Sequence, residues 1–321
     1  MIRVSIYGAG QLGTAVGLLL DARPGVAVLG PFGRDQRESA LGNGAAVVVI
    51  ATTTRLADVI EDVTLAVRSG SNVITSAEEA AYPFAADADA AARVDALARE
   101  AGVTVVGAGV NPGFLFDALV LTMLGAAPPG CTIRVRRVVD ISGFGPAVLR
   151  RIGVGLTPHE FDSGVAAGTV FGHAGFPQSM AVVASALGLR LDRVDRVLRP
   201  LTAKRDVDVP NGLRIDAGQT VGVDQRYTGV VGGVPWFTAE FFGHVALDHL
   251  DMDPSDEIEL LRGGAMLQRS RIRPGVGAQV GSANMIANSI ERVVAAQAGW
   301  RTVAELMPAY PRLAAASFVP T

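Results

Sequence analysis

The sequence predicts an α/β protein, with a doubly wound parallel sheet at its N-terminal end and an α+β domain after it. Three observations carry that reading. Short apolar runs alternate with helical patterns through the first third of the chain. A glycine-rich turn, GAGQLG, separates the first run from the first helix. Near Arg134 the alternation gives way to separate helices and then to longer strand-like runs.

Val4 to Tyr7 reads as the first strand, with a helix through Leu20 after the glycine turn. Val26 to Leu29 is the second strand. AAVVVIATTT, ending near Thr54, is a continuous apolar run of the kind a strand buried on both faces requires. Leu56, Val59, Ile60, Val63 and Val67 recur at helical spacing. NVIT is the next strand, Phe84 to Glu100 an alanine-rich helix, and Val103 to Gly107 a further strand. In the second part, Thr157 and Glu160 form a capping box ahead of a helix from Pro158. Another helix runs from Pro177 to Leu187 and stops at Gly188. From Asp192 to about Arg273 the pattern suits antiparallel strands, and a final helix spans Gly277 to Ala298.

Composition removes several function classes. The chain has 321 residues, 49% of them hydrophobic, which is ample for a large core. Only 18% are charged and the formal net charge is −3, which argues against nucleic acid or a polybasic membrane surface as partner. No uninterrupted apolar run reaches about 18 residues and none at the N-terminus resembles a signal peptide, so a cytoplasmic protein with no membrane span is expected. The single cysteine, Cys131, excludes an intrachain disulfide and a cysteine cluster for zinc. His244 and His249 lack a carboxylate-rich surrounding pattern, so no metal is expected.

Gly8-Ala-Gly10-Gln11-Leu12-Gly13 fits G-x-G-x-x-G between a strand and a helix. The glycines permit the tight turn, let backbone approach a pyrophosphate and allow close helix–strand packing. The helix N-terminus then receives the negative charge. A dinucleotide is the implied cofactor. After the second strand come Arg34 and Arg37, which favour the extra phosphate of NADP, whereas Asp35 turned towards the ribose would favour NAD. The expected organisation is a dinucleotide-binding domain over residues 1–133, an α+β substrate and oligomerisation domain over 134–275, and a C-terminal helical segment, 276–321, returning to the first domain.

Open α/β sheets hold ligands beyond the carboxyl ends of their strands. Three such ends carry polar groups: ATTT, with Thr52 and Thr53; SAEE, with Glu78 and Glu79; and GAGVNPG, with Asn111. The threonines suit the nicotinamide ribose or an ordinary helix cap. Asn111 suits a polar ligand contact or an ordinary turn. Ser76 and Glu79 form S-x-x-E, so a capping box explains Glu79 and leaves Glu78 without a structural reason.

Several ordered segments carry a family resemblance: NVITSAEEAAYP, VTVVGAGVNPGFLFD, ISGFGPAVLRRIGVG, VFGHAGFPQS and GVGAQVGSANMI. With them the chain resembles the 2,4-diaminopentanoate dehydrogenase family and its relatives among the native amine dehydrogenases, with a general likeness to dihydrodipicolinate reductases. The resemblance implies a Rossmann domain, a dihydrodipicolinate-reductase-like second domain, a homodimer, and oxidative deamination of an amine with NAD(P)+, or in reverse reductive amination of a ketone with ammonia. It also implies a catalytic glutamate, which falls on Glu78 or Glu79, with Glu78 preferred. A carboxylate there takes a proton from the ammonium, stabilises an iminium cation and activates water.

Further candidates surround that pair. Tyr82 orients substrate or packs against the helix. His173 is a donor or secondary proton carrier, or a structural histidine held by backbone. Phe144 shapes a loop over the nicotinamide, and Asn284 reaches its carboxamide. Aromatic residues elsewhere in the second domain, among them Tyr227 and Phe241, are read as core. Two other functions compete: reduction of a preformed cyclic imine, and a nicotinamide-binding sensor without catalysis.

Overall fold

Four buried residues in a row, Val47 to Ile50, make a strand that contacts protein on both faces, and the sheet is built outward from strands of this kind. The structure, a computed structural model, describes residues 1–210, 212–306 and 308–311. The elements run β1 (Ile2–Tyr7), α1 (Gln11–Asp21), β2 (Val26–Phe32), α2 (Arg37–Leu41), β3 (Val47–Ile50), α3 (Leu56–Arg68), β4 (Asn72–Thr75), α4 (Ala88–Ala101), β5 (Thr104–Gly107) and α5 (Ala118–Leu124). Then come β6 (Thr132–Asp140), α6 (Pro146–Ile152), α7 (Pro158–Ala166), α8 (Phe176–Ala186), β7 (Arg193–Thr202), β8 (Val207–Asp208), β9 (Arg214–Ile215), β10 (Thr220–Val231), β11 (Val234–His244), β12 (Ser255–Arg262) and β13 (Ala265–Ile272). The last elements are α9 (Ala278–Ala295), β14 (Gly299–Arg301) and α10 (Val303–Leu306).

The chain divides into two units: Met1–Thr122 with Gln178–Gly188 and the segment from Gly277 onward, and Met123–Pro177 with Leu189–Val276. The boundary expected at 133/134 falls inside β6, whereas the chain leaves the first unit after Thr122. Most of α8 also belongs to the first unit. Val182 packs there with Ile286, Ile290 and Val106, a long-range contact that local composition does not signal.

The first unit is a six-stranded parallel sheet in the order β2-β1-β3-β4-β5-β14. The chain reverses its direction of growth between β1 and β3, which is the switch point where such sheets bind ligands. Two apolar clusters cover its two faces, one including Val48, Val59, Val94 and Trp300, the other Val4, Val16, Ile286 and Val303. The alanine-rich helix begins later than Phe84. Pro83–Ala85 forms one 3-10 turn, and α4 starts after Asp87, whose carboxylate accepts the Ala90 N–H at 2.9 Å.

The second unit centres on a six-stranded sheet in the order β13-β12-β6-β11-β10-β7. It is mixed rather than wholly antiparallel, because β6 and β11 pair in parallel. Ile133, Val135, Phe237, Ala239 and Phe241 point to the buried face, while Arg134 and Arg136 alternate to the exposed one. The Thr157–Glu160 capping box of α7 forms as its sequence predicts. Among the described residues no helix is long and apolar enough to cross a membrane.

Candidate functional site

The turn after β1 assigns its glycines different tasks. Gly8 has φ +123°, and a Cβ there would lie 2.4 Å from the Ala51 carbonyl oxygen, so it packs the turn against the residue following β3. A Cβ at Gly13 would lie 1.8 Å from the Gly8 oxygen, so this glycine lets α1 approach the turn. At Gly10 a Cβ would meet nothing within 4 Å. The protein makes no steric demand for glycine there, and the open space is on the N-cap of α1. No acidic side chain stands in the first turn of α1 and none caps it, so the N–H groups at Gln11, Leu12 and Gly13 begin the helix without side-chain acceptors. This cradle fits a pyrophosphate. Gln11 also accepts a hydrogen bond from Gln279 at 2.8 Å, which joins the starts of α1 and α9.

At the end of β2 the two arginines separate. Arg34 is exposed in the 3-10 turn Arg34–Gln36 and has no ion-pair partner among the described residues. Asp35 is exposed beside it. Arg37, expected to share the ribose phosphate, instead bonds Asp62 through Nε at 2.5 Å and faces Glu38 at 3.8 Å. Its charge has a partner within the fold.

After β3, Thr52 is exposed, and the Thr53 hydroxyl donates to Asp58 at 3.2 Å. After β4 comes the 3-10 turn Glu78–Ala81. Its N-cap is Ala77, so the expected Ser76–Glu79 capping box does not form. The Glu79 carboxylate instead accepts the Leu56 N–H at 2.7 Å and caps the start of α3. Its own N–H donates to the Thr54 oxygen at 3.3 Å. Glu79 therefore has a structural role, for a tertiary reason that S-x-x-E does not contain. Glu78 is the first residue of the turn and is half-buried. Tyr82 ends the turn and meets Phe84 edge-on, with centroids 5.9 Å apart.

The segment after β5 is tied down by residues the sequence left unassigned. Asn111 is buried, and its amide lies 3.5 Å from the Ser179 hydroxyl. That hydroxyl also donates to Asp117 at 3.0 Å, and Asp117 accepts the Gly113 N–H at 2.7 Å. Asp117 is fully buried, and burial pushes its carboxyl upward against these hydrogen bonds. The Ser282 hydroxyl accepts the Val110 N–H at 3.1 Å. Asn284 donates back to the Val280 oxygen of its own helix at 2.9 Å, which gives it a local role. An acid inside the apolar run GFLFDALVL was the available signal for Asp117.

In the second unit, Phe144 lies half-buried in the loop before α6. His173 is held by its backbone: Gln225 Oε1 accepts its N–H at 2.9 Å, and its carbonyl accepts the Tyr227 hydroxyl at 3.1 Å. Its Nδ1 accepts the Gly175 N–H at 3.2 Å, so Nε2 carries the proton of the neutral ring. The ring lies between Phe176 and Phe241, with centroids at 4.8 and 5.4 Å. Tyr227 and Phe241, read as core from the sequence, thus build the histidine's surroundings, together with the buried Gln225. Their signal was strand alternation: Val223, Gln225 and Tyr227 share one face of β10.

A switch-point cradle for pyrophosphate beside strand ends bearing a carboxylate and an amide defines the class: a nicotinamide-linked oxidoreductase of the Rossmann type. The comparisons narrow it. The family model for the 2,4-diaminopentanoate dehydrogenase C-terminal domain matches residues 114–316, and the chain belongs to that family. A curated 2,4-diaminopentanoate dehydrogenase from Acetoanaerobium sticklandii is 29% identical over 331 aligned positions, covering 95% of this chain and 93% of that one. The amine dehydrogenase from Mycobacterium smegmatis shares the fold with a TM-score of 0.82, at 24% identity and 97% coverage of both chains. GenD2 of gentamicin A biosynthesis, solved with NAD, shares it more distantly, with a TM-score of 0.51, 16% identity, and coverage of 84% of this chain and 72% of that one.

Proposed function

We propose that the protein is an NADP-linked amine dehydrogenase whose base is Glu78. Family membership already makes it a nicotinamide-dependent oxidoreductase acting on amines. The single observation behind the base assignment is the division of labour in the turn after β4. Glu79 caps α3, whereas Glu78 opens the turn, half-buried, at the end of β4 where such sheets meet their ligands. Arg34, exposed and without an ion pair among the described residues, supports NADP over NAD.

The glycine turn from Gly8 to Gly13 would hold a nicotinamide dinucleotide, which when bound would supply the acceptor for hydride from the carbon that carries the amine. Glu78 takes the proton that converts the substrate ammonium to a neutral amine, because hydride leaves only from the latter. That proton passes to solvent, and the restored carboxylate faces a carbon–nitrogen double bond carrying positive charge and stabilises it. It next removes a proton from the water that attacks this carbon and returns it to the nitrogen, which leaves as ammonia. Overall, amine, NADP+ and water give ketone, ammonium and NADPH; reductive amination is the reverse. Asn111 orients substrate or carboxamide from the end of β5. The proposed setting is the cytoplasm and the proposed assembly a homodimer, joined through the sheet face of the second unit that carries Arg134, Arg136 and Glu240.

The test is Glu78→Gln. Amine-dependent NADPH formation should fall by about 100-fold or more, the usual weight of a general base, while the Kd for NADPH stays within about twofold. Undiminished turnover in Glu78→Gln would remove the assignment.

A further inference from the structure

The turn bearing Glu78 is gripped from three directions. Glu79 binds α3 through its carboxylate and the Thr54 carbonyl through its N–H. Beneath the turn, β5 ends in Gly107, where a Cβ would lie 2.4 Å from both Ala80 C and Ala81 N. The strand end and the turn are in backbone contact with no room for a side chain. From the far edge of the sheet, the Trp300 indole N–H donates to the Ala80 carbonyl at 3.1 Å, over a sequence separation of 220 residues.

Trp300 is itself fixed. It lies on β14, paired with Val105 of β5, and its backbone N–H donates to Asp95 Oδ1 at 2.7 Å. Its side chain is buried among Ala77, Ala80, Val94 and Val105. A carbonyl in a single 3-10 turn has few helical partners, so an outside donor decides where that peptide plane sits. Packing alone needs only the indole ring; the N–H adds direction.

We propose that Trp300 is a positioning residue for Glu78: its indole N–H, through the Ala80 carbonyl, fixes the turn that aims the carboxylate at the reacting amine. The inference rests on Glu78 being the base. It assigns a role in turnover to the short last strand, outside the nucleotide turn and outside the substrate contacts.

The experiment compares Trp300→Phe, which keeps a ring but loses the donor, with Trp300→His, which keeps a ring N–H. Each is measured in the wild-type and Glu78→Gln backgrounds. Trp300→Phe should lower kcat about tenfold, as misplacement of a reacting group does, with KM for NADP+ and amine within about twofold. The pH profile of kcat should shift, and Trp300→His should recover part of the loss. In the Glu78→Gln background Trp300→Phe should cost nothing further, because residues acting as a unit are not additive. An unchanged kcat, or losses that multiply across the two sites, overturns the proposal. Loss of NADPH binding in both Trp300 variants also overturns it, since that assigns the residue to stability alone. Full turnover in Glu78→Gln itself is a separate outcome, and it removes the underlying base assignment instead.

Discussion

Arg34 and Arg37 stand on the same stretch after β2, and their surroundings divide them. Arg37 is paired with Asp62, whereas Arg34 is exposed without an ion pair among the described residues. Arg34 is therefore the one proposed to meet a phosphate on the adenosine ribose. Arg34→Ala should raise KM for NADPH by about tenfold or more and leave KM for NADH within about twofold, as a lost charge-assisted hydrogen bond requires. Equal effects on both cofactors in steady-state assays would place Arg34 away from that phosphate. The sequence shows two arginines of equal standing, because the distinction lies in Asp62, on α3 and distant along the chain. The same holds for Glu78 and Glu79. The residue types were legible, and the preference for Glu78 was legible through S-x-x-E, but the capping box it invoked is absent. The donor that engages Glu79 is the first N–H of α3, which no local motif reveals.

Between elements, Gly107 is where strand and turn meet without a side chain between them. Ala at this position must push the Glu78–Ala81 turn away, since the Ala80 and Ala81 backbone atoms have no flexible end to yield. Gly107→Ala is expected to cost about 1–3 kcal/mol of stability, the usual range for overpacking, and to lower kcat by about 10- to 100-fold through displacement of the carboxylate. A thermal melt and a kcat measurement read the two effects; a variant with normal kcat would mean that the turn tolerates the shift. The strands and most helices were legible as elements, because apolar runs and helical periodicity follow from which faces must leave water. The start of α4 was displaced because Asp87 caps it and Pro83 opens a separate turn. The parallel pairing of β6 with β11 was not legible, since strand direction depends on a connection that runs through several intervening elements.

For the whole molecule, the second unit's exposed sheet face is held by ion pairs between neighbouring strands. Glu259 of β12 binds Arg269 of β13 at 2.5 Å and Arg134 of β6 at 2.9 Å. Burial pushes its carboxyl up, but the two guanidinium groups outweigh this and hold it below its ordinary value of 4.5. A carboxyl lowered on folding stabilises the fold above its unfolded pKa, and that contribution is lost as pH falls through the folded value. Glu259→Gln should therefore cost about 1–2 kcal/mol near neutral pH, with half-exposed arginines keeping the figure small. Urea melts of the two proteins should converge as pH falls below the ordinary carboxylate range and Glu259 protonates; a difference independent of pH would exclude the charge as its origin.

The sequence by itself determined the alternating sheet, the glycine cradle, the polar strand ends and a family of amine-acting enzymes, because these depend on periodicity and on residue types held close together in the chain. Only the tertiary structure decided that Asp62 engages Arg37 and that Glu79 caps α3, that α8 and β14 complete the first unit, and that Trp300 meets the turn of Glu78. Those outcomes depend on partners that the chain brings together from far apart, and long-range contacts of that kind leave no local pattern for a sequence to display.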